Sequence, residues 1–149
     1  VIGLASSGVH ANGFSLVRKV LSAAELTRLQ RALLVPTRIY VKPILQVLHH
    51  VRLRAMAHIT GGGLARRLPS LVAAQPQLRV RWRPGSWPVP TIFRTIHQAG
   101  RISFTEMHST FNMGLGMALT CRRADTRQAL QCLRQSGVRA WVIGTIERR

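Results

Sequence analysis

The chain has 149 residues, enough for one compact domain with a buried core, and its 46% hydrophobic content is too high for a disordered tail. Lysine and arginine number 22 against 4 acidic residues, a net charge of +18, which favours nucleic acid, acidic membrane surfaces or phosphorylated metabolites as partners. No apolar run reaches the roughly 18 residues that span a bilayer; the longest, Met113 to Leu119, holds two glycines.

In chain order, Val1 to Ala5 reads as a short buried strand, and an upstream portion is expected because the chain opens on it directly. The polar loop Ser6 to Gly13 follows, then a helix carrying Phe14, Leu16, Val17, Val20 and Leu21. Ser22 with Glu25 has the form of a capping box opening a helix through Leu33, which Pro36 ends. Ile39 to His50 is helical, with Pro43 near its first turn. Met56 to Ile59 is a strand, followed by Thr60 to Gly63 and a short helix through Leu64 and Leu68 that stops at Pro69. Leu78, Val80 and Trp82 alternate with arginines as a half-buried strand. A turn at Pro84 to Pro88 leads to a helix from Pro90 through Ile96, closed by Gly100, and a short helix carries Phe104, Met107 and His108. Met113 to Thr120 is a strand, Asp125 with Gln128 caps a helix bearing Ala129, Leu130 and Leu133, and Ala140 to Ile146 is the last strand. This alternation predicts an α+β fold of the sandwich type, a sheet covered by helices.

Two loops have the composition of anion sites. In Ser6-Ser7-Gly8-Val9-His10-Ala11-Asn12-Gly13, small residues leave backbone N–H groups open ahead of a helix, while His10 and Asn12 add side-chain hydrogen bonds. A plain strand-to-helix turn is the equal alternative. In His58-Ile59-Thr60-Gly61-Gly62-Gly63, three successive glycines indicate either close approach to a ligand or an unusual turn. The lysine and spacing of a Walker loop are missing. His58 on a strand reads as a core histidine or a donor–acceptor at a site. His49 and His50 read as a solvated helix end, His97 and His108 as surface residues, and the methionines as core filler.

Glu25, Glu106, Asp125 and Glu147 are the only carboxylates, too dispersed for a magnesium–nucleotide site within this chain. No metal ligand is assigned. The composition therefore describes an anion-holding half whose metal-holding half comes from elsewhere. Cys121 and Cys132 have no metal-type spacing, and two isolated thiols fit a reducing cytoplasm. The arginines are scattered and aromatics scarce at 5%, so nucleic acid is not the expected partner.

The stretch Gly3-Leu4-Ala5-Ser6-Ser7-Gly8-Val9-His10-Ala11-Asn12-Gly13-Phe14-Ser15-Leu16-Val17-Arg18-Lys19 resembles the opening of the second domain in the phosphoribosylformylglycinamidine cyclo-ligase (aminoimidazole ribonucleotide synthetase) family. Pro36 to Pro43, Met56 to Leu64, Ser86 to Pro90 with Ile92-Phe93, Glu106 to His108, Thr110 to Gly114 and Ala140 to Gly144 match in order, so the likeness covers nearly the whole chain.

The resemblance implies a mixed sheet flanked by helices, partly ferredoxin-like, with residues 1–149 forming a single C-terminal domain. It implies a cytoplasmic homodimer and an N-terminal ATP-binding domain that this chain lacks and that would hold ATP and Mg²⁺. The reaction implied is ATP-dependent ring closure of a phosphoribosyl substrate in purine biosynthesis, with the chain inactive alone. On this likeness His58 and His10 are the catalytic candidates, and Ser6, Ser7, Gly8, Asn12, Gly13, Thr60, Gly61, Gly62 and Gly63 the substrate- or phosphate-binding ones. The chain departs from the family pattern at Ala11 (usually Ser), Val35 (usually an acid), Arg66-Arg67 (usually Glu-Asn) and Ser109 (usually Arg). Two other readings stay open: a sister enzyme of the superfamily, such as formylglycinamidine synthetase, selenophosphate synthetase or thiamine-phosphate kinase, and a non-catalytic polyanion-binding paralogue.

Overall fold

The computed structural model describes residues 1–149. Strands β1 (Ile2–Ala5), β2 (Ala55–His58), β3 (Leu78–Trp82), β4 (Leu115–Thr120), β5 (Ala140–Val142) and β6 (Gly144–Arg148) alternate with helices α1 (Phe14–Val20), α2 (Ala23–Leu33), α3 (Val41–Leu48), α4 (Gly63–Arg67), α5 (Thr91–Gly100), α6 (Phe104–Thr110) and α7 (Thr126–Gln135). The α+β class expected from the sequence holds. The main sheet has the order β2-β4-β1-β5, the strand order of a split β-α-β-β-α-β unit. Every pairing is antiparallel, where the resemblance implied a mixed sheet.

Both faces of this sheet are covered, so β1 and β4 read as nearly continuous apolar runs rather than alternating ones. On one face α3 and α7 bury Tyr40, Ile44, Val47, Leu133 and Cys132 against Ile2, Leu4 and Leu119. On the other, Phe93, Ile96, Met107, Phe111, Leu64 and Leu68 pack with Ala57, Ala118 and Leu115. None of the helices is long and apolar enough to cross a membrane.

Three elements differ from the sequence reading. The expected strand Ala140 to Ile146 is two strands: β5 extends the main sheet, whereas β6 leaves it to pair with β3 in a separate ribbon. The break falls at Ile143, fully buried, whose N–H donates to Val1 O and whose carbonyl accepts from Arg83 N–H. Gly144 permits the crossing, because a Cβ there would lie 2.7 Å from Trp82 Cα. The helix after Gly63 ends before Pro69 as expected, but a 3₁₀ helix over Pro69–Val72, absent from the sequence reading, follows it. Asp125 sits at the N-cap of α7 without capping it, since its carboxylate accepts from Arg122 Nε at 3.1 Å instead. The Ser22–Glu25 capping box forms as expected, and Ser103 caps α6 in addition.

Candidate functional site

The sheet topology decides where the two loops go. β1 and β2 both run antiparallel to β4, so the chain leaves both strands at the same end of the sheet. Ala5 closes β1 opposite Leu115 and His58 closes β2 opposite Met117, with Gly116 between them on β4. Ile59 N–H donates to Gly116 O and Ser6 N–H to Gly114 O, which ties both loops to the start of β4. His10 and His58 are therefore on one side of the molecule, with Tyr40 between them. The His10 and Tyr40 ring centroids are 6.3 Å apart, and those of Tyr40 and His58 6.2 Å.

Within the first loop the hydroxyls are committed internally. Ser6 Oγ donates to Gly8 O (2.9 Å) and Ser7 Oγ to Pro36 O (2.6 Å). The backbone is not: the N–H groups from Gly8 to Gly13 donate to no group of the chain. Thr60, Gly61 and Gly62 of the second loop also keep their N–H groups free of intramolecular acceptors. The glycine run resolves into separate causes. Gly62 is left-handed (φ 88°), and Gly63 is pressed against the carbonyls of His108 and Phe111, so no Cβ fits there. Gly61 has open space around it and exposed backbone, which leaves it the glycine available to a ligand. Gly13 (φ 85°) lies against the Phe111 ring, and Asn12 is half-buried at the loop's end.

His10 is 5% exposed and left-handed (φ 61°), a conformation that costs about 1–3 kcal/mol and persists only where the surroundings impose it. The imposing contact is Ser7 N–H, which donates to His10 Nε2 at 3.0 Å. An N–H can donate only to a lone pair, so the neutral ring carries its proton on Nδ1. Burial, then His58 and Arg38, push the His10 pKa down to about 4, which keeps that tautomer neutral. Tyr40 is buried, donates its hydroxyl to Ala5 O (2.8 Å), and is held protonated by burial against the opposing pull of Arg38. His58 is exposed.

The loop residues do not stand alone. Asn112, buried just ahead of β4, donates through Nδ2 to Gly8 O (2.9 Å) and Val9 O (3.0 Å) and accepts Gly114 N–H on Oδ1 (2.8 Å). Arg38 is half-buried, and its Nε has no hydrogen-bond partner; His10 Nδ1 is the other buried side-chain atom in that state. Tyr40, Arg38 and Asn112 were absent from the candidate set drawn from the sequence. The signal was present in Pro36 to Pro43 and Thr110 to Gly114, whose positions fit the resemblance without being assigned a role.

The other histidines do not join the site. His97 stacks on Phe104 at 4.4 Å, His108 meets Trp82 edge-on at 5.2 Å, and His49 and His50 are exposed at the end of α3. The carboxylates do not fit a magnesium site: Glu147 lies 3.6 and 3.8 Å from Arg79 and Arg81, Asp125 pairs with Arg122, and Glu25 is bound into its capping box. A wide groove of about 1220 Å³ lies between α7 and β6, lined by Arg83, Arg123, Arg127 and Arg134, and neither loop reaches it. We place the site at the loops rather than there, because the loops carry consecutive free backbone N–H groups beside buried His10 and Asn112.

The chain is thus an antiparallel α+β domain in which two loops with free backbone N–H groups converge on one end of the main sheet. The family model for AIR synthase related protein, C-terminal domain, matches residues 1–149, and the chain belongs to that family. It is 46% identical to the phosphoribosylformylglycinamidine cyclo-ligase of Caldicellulosiruptor bescii over 160 residues, covering 99% of this chain and 46% of that protein. The protein of the same name from Nitrosococcus oceani is 45% identical over 154 residues (98% and 42%), and that from Burkholderia mallei 43% (98% and 43%). The chain thus spans less than half the length of these relatives.

Proposed function

We propose that this chain is the substrate-holding half of a phosphoribosylformylglycinamidine cyclo-ligase. In this reading the enzyme uses ATP to activate the formyl amide oxygen of its phosphoribosyl substrate as an iminophosphate. An amidine nitrogen then closes the imidazole ring, releasing ADP and phosphate. The observation that carries the reading is the convergence of both free-N–H loops on the His10–Tyr40–His58 row. Phosphoryl transfer and ring closure need positioning and electrostatic stabilisation more than covalent chemistry, which suits a scaffold of fixed donors. Neutral His10 acts as a donor through Nδ1 rather than as a base. His58, with its ring open to solvent, is the group placed to exchange a proton at the reacting nitrogen.

ATP and its metal belong to an N-terminal domain that docks beside the loops. Supporting this is an apolar surface with no partner in this chain: Ile39 is 79% exposed, and Val41, Leu45 and Leu48 form an exposed stripe along α3 at i, i+4, i+7 spacing. A homodimer of the two-domain enzyme is part of the same proposal. The test mixes the chain with the ATP-binding half of the N. oceani relative and supplies formylglycinamidine ribonucleotide and Mg·ATP. Product aminoimidazole ribonucleotide with stoichiometric ADP is expected from the mixture and from neither half alone. Absence of turnover from a mixture shown to be associated would overturn the reading.

A further inference from the structure

Arginines that lie scattered in the sequence are gathered by the fold. Arg127, Leu130 and Arg134 share one face of α7 at i, i+3, i+7 spacing, and Arg123 stands a turn ahead of Arg127. Arg83, just beyond β3, meets them across the groove of about 1220 Å³ between α7 and β6. No aspartate or glutamate lines this groove. The ion pairs of the chain go to Arg79, Arg81 and Arg122, so the groove's guanidiniums keep their full charge. At one end the groove runs into a smaller cavity of about 360 Å³, which shares Leu130 and Arg134 with it and adds Arg139 and Trp141. The Arg139 guanidinium lies 5.9 Å from the Trp141 ring centroid. All of these arginines are exposed, and Trp141 is half-buried.

We propose that this groove binds single-stranded nucleic acid, with its arginines on successive phosphates and a base stacked at Arg139 and Trp141. Pockets for small molecules hold roughly 300–1000 Å³ and are mostly apolar. This groove is larger, and its cations are spread along it: Arg127 and Arg134 alone stand two helical turns apart, about 10 Å. That distribution suits a chain of phosphates, each met by a guanidinium fork, better than one phosphate. An aromatic ring beside a guanidinium is the platform on which an unpaired base stacks. A duplex keeps its bases stacked inside and offers none to Trp141. A second copy of this chain does not fit, because 4 acidic residues against 22 basic ones leave it no acidic face to present. An anionic membrane is planar and engages protruding cations, whereas these line a concavity. The proposal goes beyond the cyclo-ligase reading and does not rest on it, since neither loop of that site reaches the groove.

The test is fluorescence anisotropy of the 149-residue chain with a labelled single-stranded RNA of about 12 nucleotides, within the usual span of strand-binding sites. The same RNA as a duplex and a polyglutamate peptide are the rival probes. Micromolar or tighter binding of the single strand is expected near physiological salt, weakening steeply as salt rises. Arg127→Gln and Arg134→Gln, made together, should weaken it about tenfold or more and lessen the salt slope by about 1.4, at roughly 0.7 per lost phosphate contact. Arg28→Gln with Arg31→Gln removes equal charge from α2, on the opposite side of the main sheet, and should change affinity by about twofold at most. Trp141→Leu should weaken binding about fivefold or more through the lost stack. Absence of binding near physiological salt, equal losses in the two double variants, or undiminished affinity in Trp141→Leu overturns the proposal. So does binding of the duplex or of polyglutamate as tightly as the single strand. Failure of the two-half mixture to turn over sinks the cyclo-ligase reading and leaves the groove's assignment standing.

Discussion

His10 concentrates three unfavourable features in one residue: a left-handed backbone, near-complete burial, and an unpartnered ring proton. Its depressed pKa has a consequence for stability whose sign is fixed by linkage. Between about pH 6.5, the ordinary histidine value, and about 4, the unfolded chain binds a proton that the folded chain refuses, so stability falls as pH is lowered through that window. The full effect approaches about 3 kcal/mol at the acid end. Burial depresses His108 in the same direction, so the clean comparison is the wild type against His10→Gln, whose denaturation midpoint should vary less between pH 6.5 and 4. A parallel pH dependence in the variant would contradict the assignment. Gly116 tests the same cluster sterically. A Cβ there would overlap the Tyr40 hydroxyl and lie 2.6 Å from His10 Cε1, so Gly116→Ala should cost about 1–3 kcal/mol in chemical denaturation and displace both rings. At this scale the sequence named His10 and His58 from residue type and loop composition. It could not name Arg38, whose significance is an unmet donor and so exists only in three dimensions.

Elements explain how a short loop is held in a strained form. Asn112 bonds Gly8 and Val9 across more than a hundred residues of sequence, fastening the first loop to the start of β4. Asn112→Leu would strand the buried Val9 carbonyl and the Gly114 N–H and leave Gly8 O to Ser6 Oγ alone, for a loss of about 2–4 kcal/mol. Its second signature should be a new, broadened set of amide resonances confined to Ser6 to Gly13 and Gly114, which a general core defect would not produce. Elements were legible wherever one local rule decided them: the Ser22–Glu25 box, the apolar runs of β1 and β4, the glycines at Gly13 and Gly137. They were misread where a distant strand decided. Ala140 to Ile146 is one apolar stretch in sequence, yet β1 claims its first part and β3 its last. Gly144→Val should therefore release the β3–β6 ribbon, seen as fast amide exchange at Val80 and Arg81, while β1 and β4 stay protected.

For the whole molecule the question is what the charge of +18 and the bare apolar stripe are for. Ion pairs absorb little of that charge, because those of Arg79, Arg81 and Arg122 are on the surface, where each is worth about 0–1 kcal/mol. The fold class and the two-loop architecture followed from strand–helix rhythm and loop composition. That both loops face one cleft is implied by the family resemblance and not by any local pattern, since it depends on β1 and β2 sharing β4 as an antiparallel neighbour. If the α3 stripe docks an ATP-binding half, Ile39→Asp should weaken association by tenfold or more in sedimentation, leaving the melting temperature of the chain unchanged within about 2 °C; equal association would place the interface elsewhere. The most direct measurement of the central claim is an ¹⁵N-NMR titration of the chain with ribose 5-phosphate. A single shared site predicts that the amides of Gly8 to Gly13 and of Thr60 to Gly62 shift together along one binding curve. Two different curves, or movement of one loop while the other stays still, would contradict it.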